Sequence, residues 1–196
     1  MKKMVVGLTG ASGSIYAKRL VEELISKGYF VHLITTTMGE KVFEYELECS
    51  LKAWVQSLNQ FHQHLKVEHN DNLFSNVASG SYRFDAMIVL PCSMGTLAKM
   101  SAGISDTLLI RCADVCLKEK RRLIIVPRET PYNSIHLENM LKLSNLGVTI
   151  LPATPGFYHR PTSFDQVVDF VIGKILDHLD IQNNLFDKWQ EPKKEY

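Results

Sequence analysis

Apolar positions along the chain recur in two rhythms that take turns. MVVGLT near the start is a short, dense run of strand type, and after GASGS the segment IYAKRLVEELISKG sets Tyr16, Leu20, Val21 and Leu24 on one helical face. Lys18, Arg19, Glu22 and Glu23 take the other face, and Gly28 supplies the stop. FVHLITT predicts a second strand, a helix carrying Trp54, Val55 and Leu58 follows, and AMIVLP predicts a third strand. The spacing then predicts helices over Met94 to Ala102 and Thr107 to Glu119, a strand at LIIV, and a helix at HLENMLKLSNLG with a terminal glycine. VTIL reads as a fifth strand and DQVVDFVIGKILDHL as a last helix.

Strands rich in Val and Ile that alternate with helices imply a parallel sheet covered on both faces, because each crossover helix must lie against the sheet. The expected fold is α/β, a doubly wound (Rossmann-like or flavodoxin-like) parallel sheet flanked by helices in a single domain. A length of 196 residues with 45% hydrophobic and 22% charged residues suits one sizeable core. The net charge of +1 leaves no broad basic field to neutralise a phosphodiester backbone, so no nucleic-acid partner is expected. No run approaches the about 18 apolar residues of a membrane span. The opening MKKMVVGLTG imitates a signal peptide, but Gly7 breaks its apolar stretch. A soluble cytoplasmic protein without a membrane partner is expected.

Cys49, Cys92, Cys112 and Cys116 form no CxxC pair. Cys112 and Cys116 share a helical face, but a closed zinc site needs four ligands and none of the right type lies close by in sequence. Buried reduced thiols and no metal are expected. His62, His64 and His69 lie in FHQHLKVEHNDN, which reads as a solvated surface segment.

Doubly wound sheets bind ligands in the crevice at the carboxyl ends of their strands. The loop Gly7 to Gly13, GLTGASG, serves either as a tight strand-to-helix turn or as a cradle whose N–H groups approach an anion, with the Ser12 hydroxyl beside them. The second strand ends in Thr35, Thr36 and Thr37, where a nicotinamide-binding fold usually carries Asp or Glu for the ribose hydroxyls. Hydroxyls there either serve the strand alone or suit a phosphate, which favours a mononucleotide such as FMN over NAD. Ser93 and Thr96, in PCSMGT, open a helix; they cap it, hold a phosphate, or do both with the same free N–H groups. Arg111 and Lys118 fall two turns apart on one helix face, with Asp114 and Glu119 near enough to pair with them. Arg128 and Glu129 stand between Pro127 and Pro131, directly after a strand. Tyr158 in PGFYHRP and Lys174 in the last helix are either core residues with polar tips at the surface or parts of a site.

Taken together, GLTGASGSIYAKRL, LPCSMGTLAKMSAG, LLIRCADVCLKEKRRLIIVPRETPYNSIHLENML and LPATPGFYHRP resemble the UbiX flavin prenyltransferase family, from about Val5 to about Leu179. The closing stretch with Trp189 is similar to members encoded beside phenolic-acid decarboxylases. The resemblance implies a flavin-binding prenyltransferase domain over residues 1–180 and a C-terminal tail over 181–196. It implies an enzyme that joins the dimethylallyl group of dimethylallyl phosphate to N5 and C6 of reduced FMN without a metal. The prenylated FMN would then serve a UbiD-type decarboxylase. The family forms large homo-oligomers, dodecamers, whose active sites are lined by neighbouring chains.

By the same resemblance FMN lies against Gly10, Ala11, Ser12, Thr36, Ser93, Met94, Gly95, Thr96 and Arg128. Tyr158, Lys174, Arg111 and Lys118 match positions that hold dimethylallyl phosphate, and Ser12, Lys118 and Glu129 match the catalytic positions. Glu46 is a looser match. Gly95 stands where many members carry a longer side chain, Thr36 where many have Ser, and Lys174 where others use Arg, which keeps the charge but loses the bidentate fork.

The chemistry explains these residue types. Negative charge grows on an allylic phosphate as its C–O bond breaks, and cations and a phenol stabilise it, while π faces favour the allyl fragment without attacking it. Ring closure needs a proton removed from a ring carbon, the task expected of Glu129. Two alternatives remain. A flavin-dependent cysteinyl decarboxylase normally carries a catalytic His and a PASANT-like stretch where this chain has PCSMGT. A noncatalytic FMN-binding or delivery subunit would have no reason to retain Lys118, Glu129, Tyr158 and Lys174 together.

Overall fold

A computed structural model of the chain describes residues 1–58 and 63–189. Strand β1 (Lys3–Leu8) leads into helix α1 (Ser14–Ser26), and β2 (Phe30–Thr35) leads into α2 (Thr37–Leu47) and α3 (Leu51–Ser57). After β3 (Leu65–His69) comes a single 3-10 turn at Asn76–Ala78. β4 (Ala86–Cys92) is followed by two helices, α4 (Met94–Ala102) and α5 (Leu108–Lys118). β5 (Arg122–Pro127) is followed by α6 (Ser134–Asn145), and β6 (Thr149–Ile150) by α7 (Phe164–His178). The strands form one parallel sheet in the order β3-β2-β1-β4-β5-β6. In that doubly wound order the winding reverses between β1 and β4, which opens a crevice at their carboxyl ends.

The alternation of side chains along each strand assigns the faces. Val5, Met87, Val89, Leu123 and Ile125 share an apolar cluster with Leu97 of α4, Leu109, Cys112, Val115 and Cys116 of α5, and Met140 and Leu143 of α6. Met4, Val6, Ile88 and Ile124 alternate with them and are equally buried. On that second face α1 lies against β1, β2 and β4, with Leu20, Val21 and Leu24 sealed from solvent. The thiols of Cys92, Cys112 and Cys116 are free and buried, and burial pushes all of them up, that of Cys116 to about 12.

Two elements go beyond what the chain's rhythm predicts. Helix α2 begins where hydroxyl-rich sequence suggested only a strand end. Strand β3 runs through the segment read above as solvated; His69 is exposed, His64 is half-buried, and His62 lies outside the described residues. β3 is the sheet's edge, and the side chain it buries is Glu68 rather than an apolar one, so no strand rhythm shows. Glu68 accepts from Nδ1 of His32 at 2.9 Å, from Lys66 at 2.9 Å and from Ser75 Oγ at 3.0 Å. With Nδ1–H donating to a carboxylate, Nε2 of His32 accepts from the Tyr82 hydroxyl at 3.0 Å.

Contacts divide the chain into two compact units, Met1–Ala153 and Thr154–Tyr196. The first contains the whole sheet and α1 to α6. In the second, α7 is joined by the stretch that follows it: Asn183 Nδ2 donates to Asp177 Oδ1 at 3.1 Å, and the Phe186 ring packs tilted against that of Phe170, with centroids 4.9 Å apart. No described helix is long and apolar enough to cross a membrane.

Candidate active site

Four strands deliver their carboxyl ends to one cleft. The Thr9 hydroxyl, just past β1, donates to the Pro91 carbonyl at 2.7 Å and accepts the Ser93 N–H at 2.8 Å, so the loops after β1 and β4 are tied side by side. Thr36 after β2 caps α2 by accepting the Gly39 N–H at 3.0 Å. Ser93 caps α4, accepting the Thr96 N–H at 3.4 Å and donating to the Thr96 hydroxyl at 3.0 Å. After β3, Asn70 accepts the Leu108 N–H with its backbone oxygen at 2.7 Å and the Leu109 N–H with its side-chain oxygen at 3.0 Å, both at the start of α5. The result is a cleft of about 370 Å³ lined by Gly10, Thr36, Asn70, Ser93, Gly95 and Thr96, with Thr107 and Leu109 closing one side. Its volume lies in the range of small-molecule sites.

Glycine is needed at one end of this cleft and optional at the other. A Cβ on Gly10 would stand 2.7 Å from the Cβ of Met38, so only glycine lets α2 approach the β1 loop. A Cβ on Gly95 would meet nothing within 4 Å. Lys99 also lines the cleft and pairs with Asp106 at 2.6 Å. That hydrogen bond holds the Asp106 carboxyl below the usual carboxylate range.

The anion that the GASGS loop cradles is part of the protein. Glu46, on α2, accepts the N–H groups of Gly13 at 3.0 Å and Ser14 at 2.8 Å at the start of α1. Burial pushes its carboxyl up, but hydrogen bonds from the Ser12 hydroxyl and from Ser14 and Gly13 outweigh burial and hold it below its ordinary value. The loop is tied on its other side by Arg128, whose Nε donates to the Ser12 carbonyl at 3.1 Å. Arg128 therefore anchors the β5 loop onto the β1 loop, and half-buried Glu129 follows, its carboxylate accepting the Thr130 N–H at 3.1 Å. The Glu129 charge stands near enough to Tyr132 to add to the burial that pushes that phenol up.

Gly10, Thr36, Ser93, Gly95 and Thr96 thus meet at one cleft; Ala11 in the β1 loop and Met94 at the start of α4 are buried beside it, and Ser12 is exposed in the β1 loop. Within one chain Arg111 and Lys118 do not reach this cleft. Arg111 donates to the Ala78 carbonyl at 3.1 Å, pairs with Asp114 at 2.6 Å, and borders a separate hollow with Ser75, Asn76, Ser79 and Ser105. Lys118 is exposed and paired with Glu119 beside Gly80. A crossover helix must run from the carboxyl to the amino edge of the sheet, and the 11 residues of α5 at about 1.5 Å each carry Lys118 roughly 15 Å from the helix's first turn. In the second unit Tyr158 packs its ring edge-on against Phe170 at 5.7 Å and Trp189 at 5.7 Å. Lys174 is half-buried one turn beyond Phe170 on the same face of α7.

Sequence reasoning missed Thr9, Asn70 and Lys99 and left Glu46 loosely placed. The sole local signal for Asn70 is the turn chemistry of HNDN, which says loop and nothing about which helix the loop caps.

A doubly wound sheet that turns the N-termini of α2, α4 and α5 and several hydroxyls onto one cleft has the architecture of a mononucleotide-binding protein. The Flavoprotein family model matches residues 1–188. A flavin prenyltransferase UbiX of Halalkalibacterium halodurans is 51% identical, covering 96% of this chain and 93% of its own. Its counterpart from Methanocaldococcus jannaschii is 46% identical, covering 95% and 98%. Among solved structures, AnUbiX in complex with FMN and dimethylallyl pyrophosphate superposes with a TM-score of 0.90 at 35% identity, covering 97% of this chain and 98% of that one. A dodecameric FMN-dependent UbiX-like decarboxylase from Escherichia coli O157:H7 gives a TM-score of 0.89 at 37% identity, covering 96% and 100%. The chain belongs to the UbiX flavin prenyltransferase family.

Proposed function

We propose that this protein transfers a dimethylallyl group from dimethylallyl phosphate to reduced FMN held in the cleft at the carboxyl ends of β1 to β4. The observation that carries this reading is the convergence of Thr36, Ser93 and Thr96 with the N-termini of α2, α4 and α5. Such donors suit the phosphate end of a mononucleotide. Reduced FMN supplies N5 and C6 as the atoms that accept the prenyl group. Thr36, Ser93, Met94 and Thr96 bind it, and Gly10, Ala11 and Gly95 leave it room. Arg128 and Ser12 border it, with Glu46 orienting Ser12. Glu129 takes the proton from C6.

Tyr158, Lys174, Arg111 and Lys118 hold the phosphate of the donor, where charge grows as the C–O bond breaks. Arg111 and Lys118 stand away from their own chain's cleft, which supports a homo-oligomer in which a neighbouring copy supplies them. The product suits a UbiD-type decarboxylase, and the setting is cytoplasmic. Anaerobic incubation of the purified protein with reduced FMN and dimethylallyl phosphate tests the reading. The expected outcome is a mass gain of one prenyl unit on the flavin; FMN recovered unchanged would favour a carrier subunit. Lys174→Ala should weaken dimethylallyl phosphate about tenfold or more with little effect on FMN. Equal loss of both would remove Lys174 from the donor site.

A further inference from the structure

We propose that Asn70 is a further ligand-binding residue of the cleft, whose side-chain amide nitrogen donates to a phosphate oxygen of the bound mononucleotide while its oxygen holds the first turn of α5. The inference rests on the cleft being the FMN site. A side-chain amide offers one acceptor and two N–H donors, and only its partners say which end is which. Here the partner decides, because a backbone N–H can only donate: the Leu109 N–H at 3.0 Å assigns the oxygen to α5. The backbone oxygen of the same residue takes the Leu108 N–H at 2.7 Å.

Asn70 thus replaces the cap that α5 lacks, since the Thr107 side chain makes no capping bond. With its oxygen tied to the helix, the half-buried residue has only N–H donors left to offer on the cleft wall. Its placement is rigid. Glu68, two positions earlier in β3, is buried and bonded to His32 and Ser75, and Asn70 is clamped to α5 by two hydrogen bonds. A donor fixed in advance spends little entropy on binding. An anion is the fitting acceptor, since Thr36, Ser93, Thr96 and Lys99 line the same cleft.

The test compares Asn70→Asp and Asn70→Ala with the full-length wild type, titrating oxidised FMN and riboflavin by flavin fluorescence in about 0.5 M salt, where through-space repulsion is screened. Aspartate keeps the acceptor for Leu109 but loses the donors. The flavin-free Asn70→Asp protein should therefore melt at the wild-type temperature, bind FMN about tenfold or more weakly, and bind riboflavin as the wild type does. Asn70→Ala should lose both thermal stability and FMN affinity. Wild-type FMN affinity in Asn70→Asp would overturn the proposal and leave Asn70 a helix cap only. Equal weakening of FMN and riboflavin would overturn the phosphate contact. A wild type that binds no FMN would instead sink the reading of the cleft itself.

Discussion

Glu46 accepts the backbone N–H of Ser14 at 2.8 Å, so a carboxylate from α2 occupies the N-terminus of α1, the position where dinucleotide-binding folds seat a pyrophosphate. With that seat filled from within, and the Leu108 and Leu109 N–H groups of α5 taken by Asn70, the proposed phosphate site falls to the N-termini of α2 and α4 and the hydroxyls beside them. The glycine loop still does recognisable work, because Gly13, at φ 110, gives the N–H groups the geometry to converge on the carboxylate.

Glu46→Gln removes a charge-assisted pair of hydrogen bonds and should cost about 1.5 kcal/mol of stability at neutral pH. Its carboxyl titrates below the ordinary 4.5 in the folded protein, so its contribution is complete above about pH 4.5 and is lost as pH falls through the lower folded value. Melting curves between about pH 3 and 7 should show the wild-type advantage over Glu46→Gln shrinking with acid. A constant gap would mean the charge is not what matters.

Gly10→Ala forces a Cβ to 2.7 Å from Met38 and should destabilise by about 1–3 kcal/mol, with loss of FMN affinity as α2 is pushed from the cleft. Gly95→Ala enters open space and should leave thermal stability unchanged. Denaturant titration of the two variants side by side gives the comparison.

His32 is held below its ordinary value of 6.5, chiefly by burial, although the hydrogen bond and charge of Glu68 pull it up. Lys66 and Lys3 add to the lowering. A neutral buried histidine contributes stability that is present above about pH 6.5 and lost as pH falls through the folded value, because the unfolded chain takes the proton first. The wild type should therefore lose stability on going from neutral to mildly acidic pH, and His32→Gln should flatten that slope while being less stable at neutral pH. Thermal melts across that interval measure it.

Glu129→Gln keeps the Thr130 contact in reach and removes the base. It should bind FMN with wild-type affinity and give at least tenfold less ring-closed product, read by mass spectrometry and absorbance. Full product yield would take the proton-transfer role from Glu129.

Much of this was legible in the chain. The helix over Met94 to Ala102 has its predicted ends because Ser93 and Gly103 are local signals, a cap and a left-handed stop. The strand at AMIVLP was visible because β4 lies inside the sheet and buries every residue. By contrast α2 was hidden: most of its apolar side chains are not buried, and only Gly39 and Phe43 are sealed from solvent, so it has no clear buried stripe to read. The pairing of Arg111 with Asp114 could be expected from helical spacing, whereas its bond to the Ala78 carbonyl could not.

What the sequence determined by itself is the alternation of elements, the doubly wound class and the loops that carry the chemistry, because periodicity, caps and glycine stops act within a few residues. Tertiary structure alone decided that Glu46 fills the α1 terminus, that Glu68 is buried against His32, and that Asn70 caps α5. Each of these joins residues far apart in the chain, and a lone polar side chain carries no rhythm that announces which distant N–H it will meet. The same holds for Arg111 and Lys118, whose direction is set by the run of a crossover helix across the sheet rather than by the charges they bear.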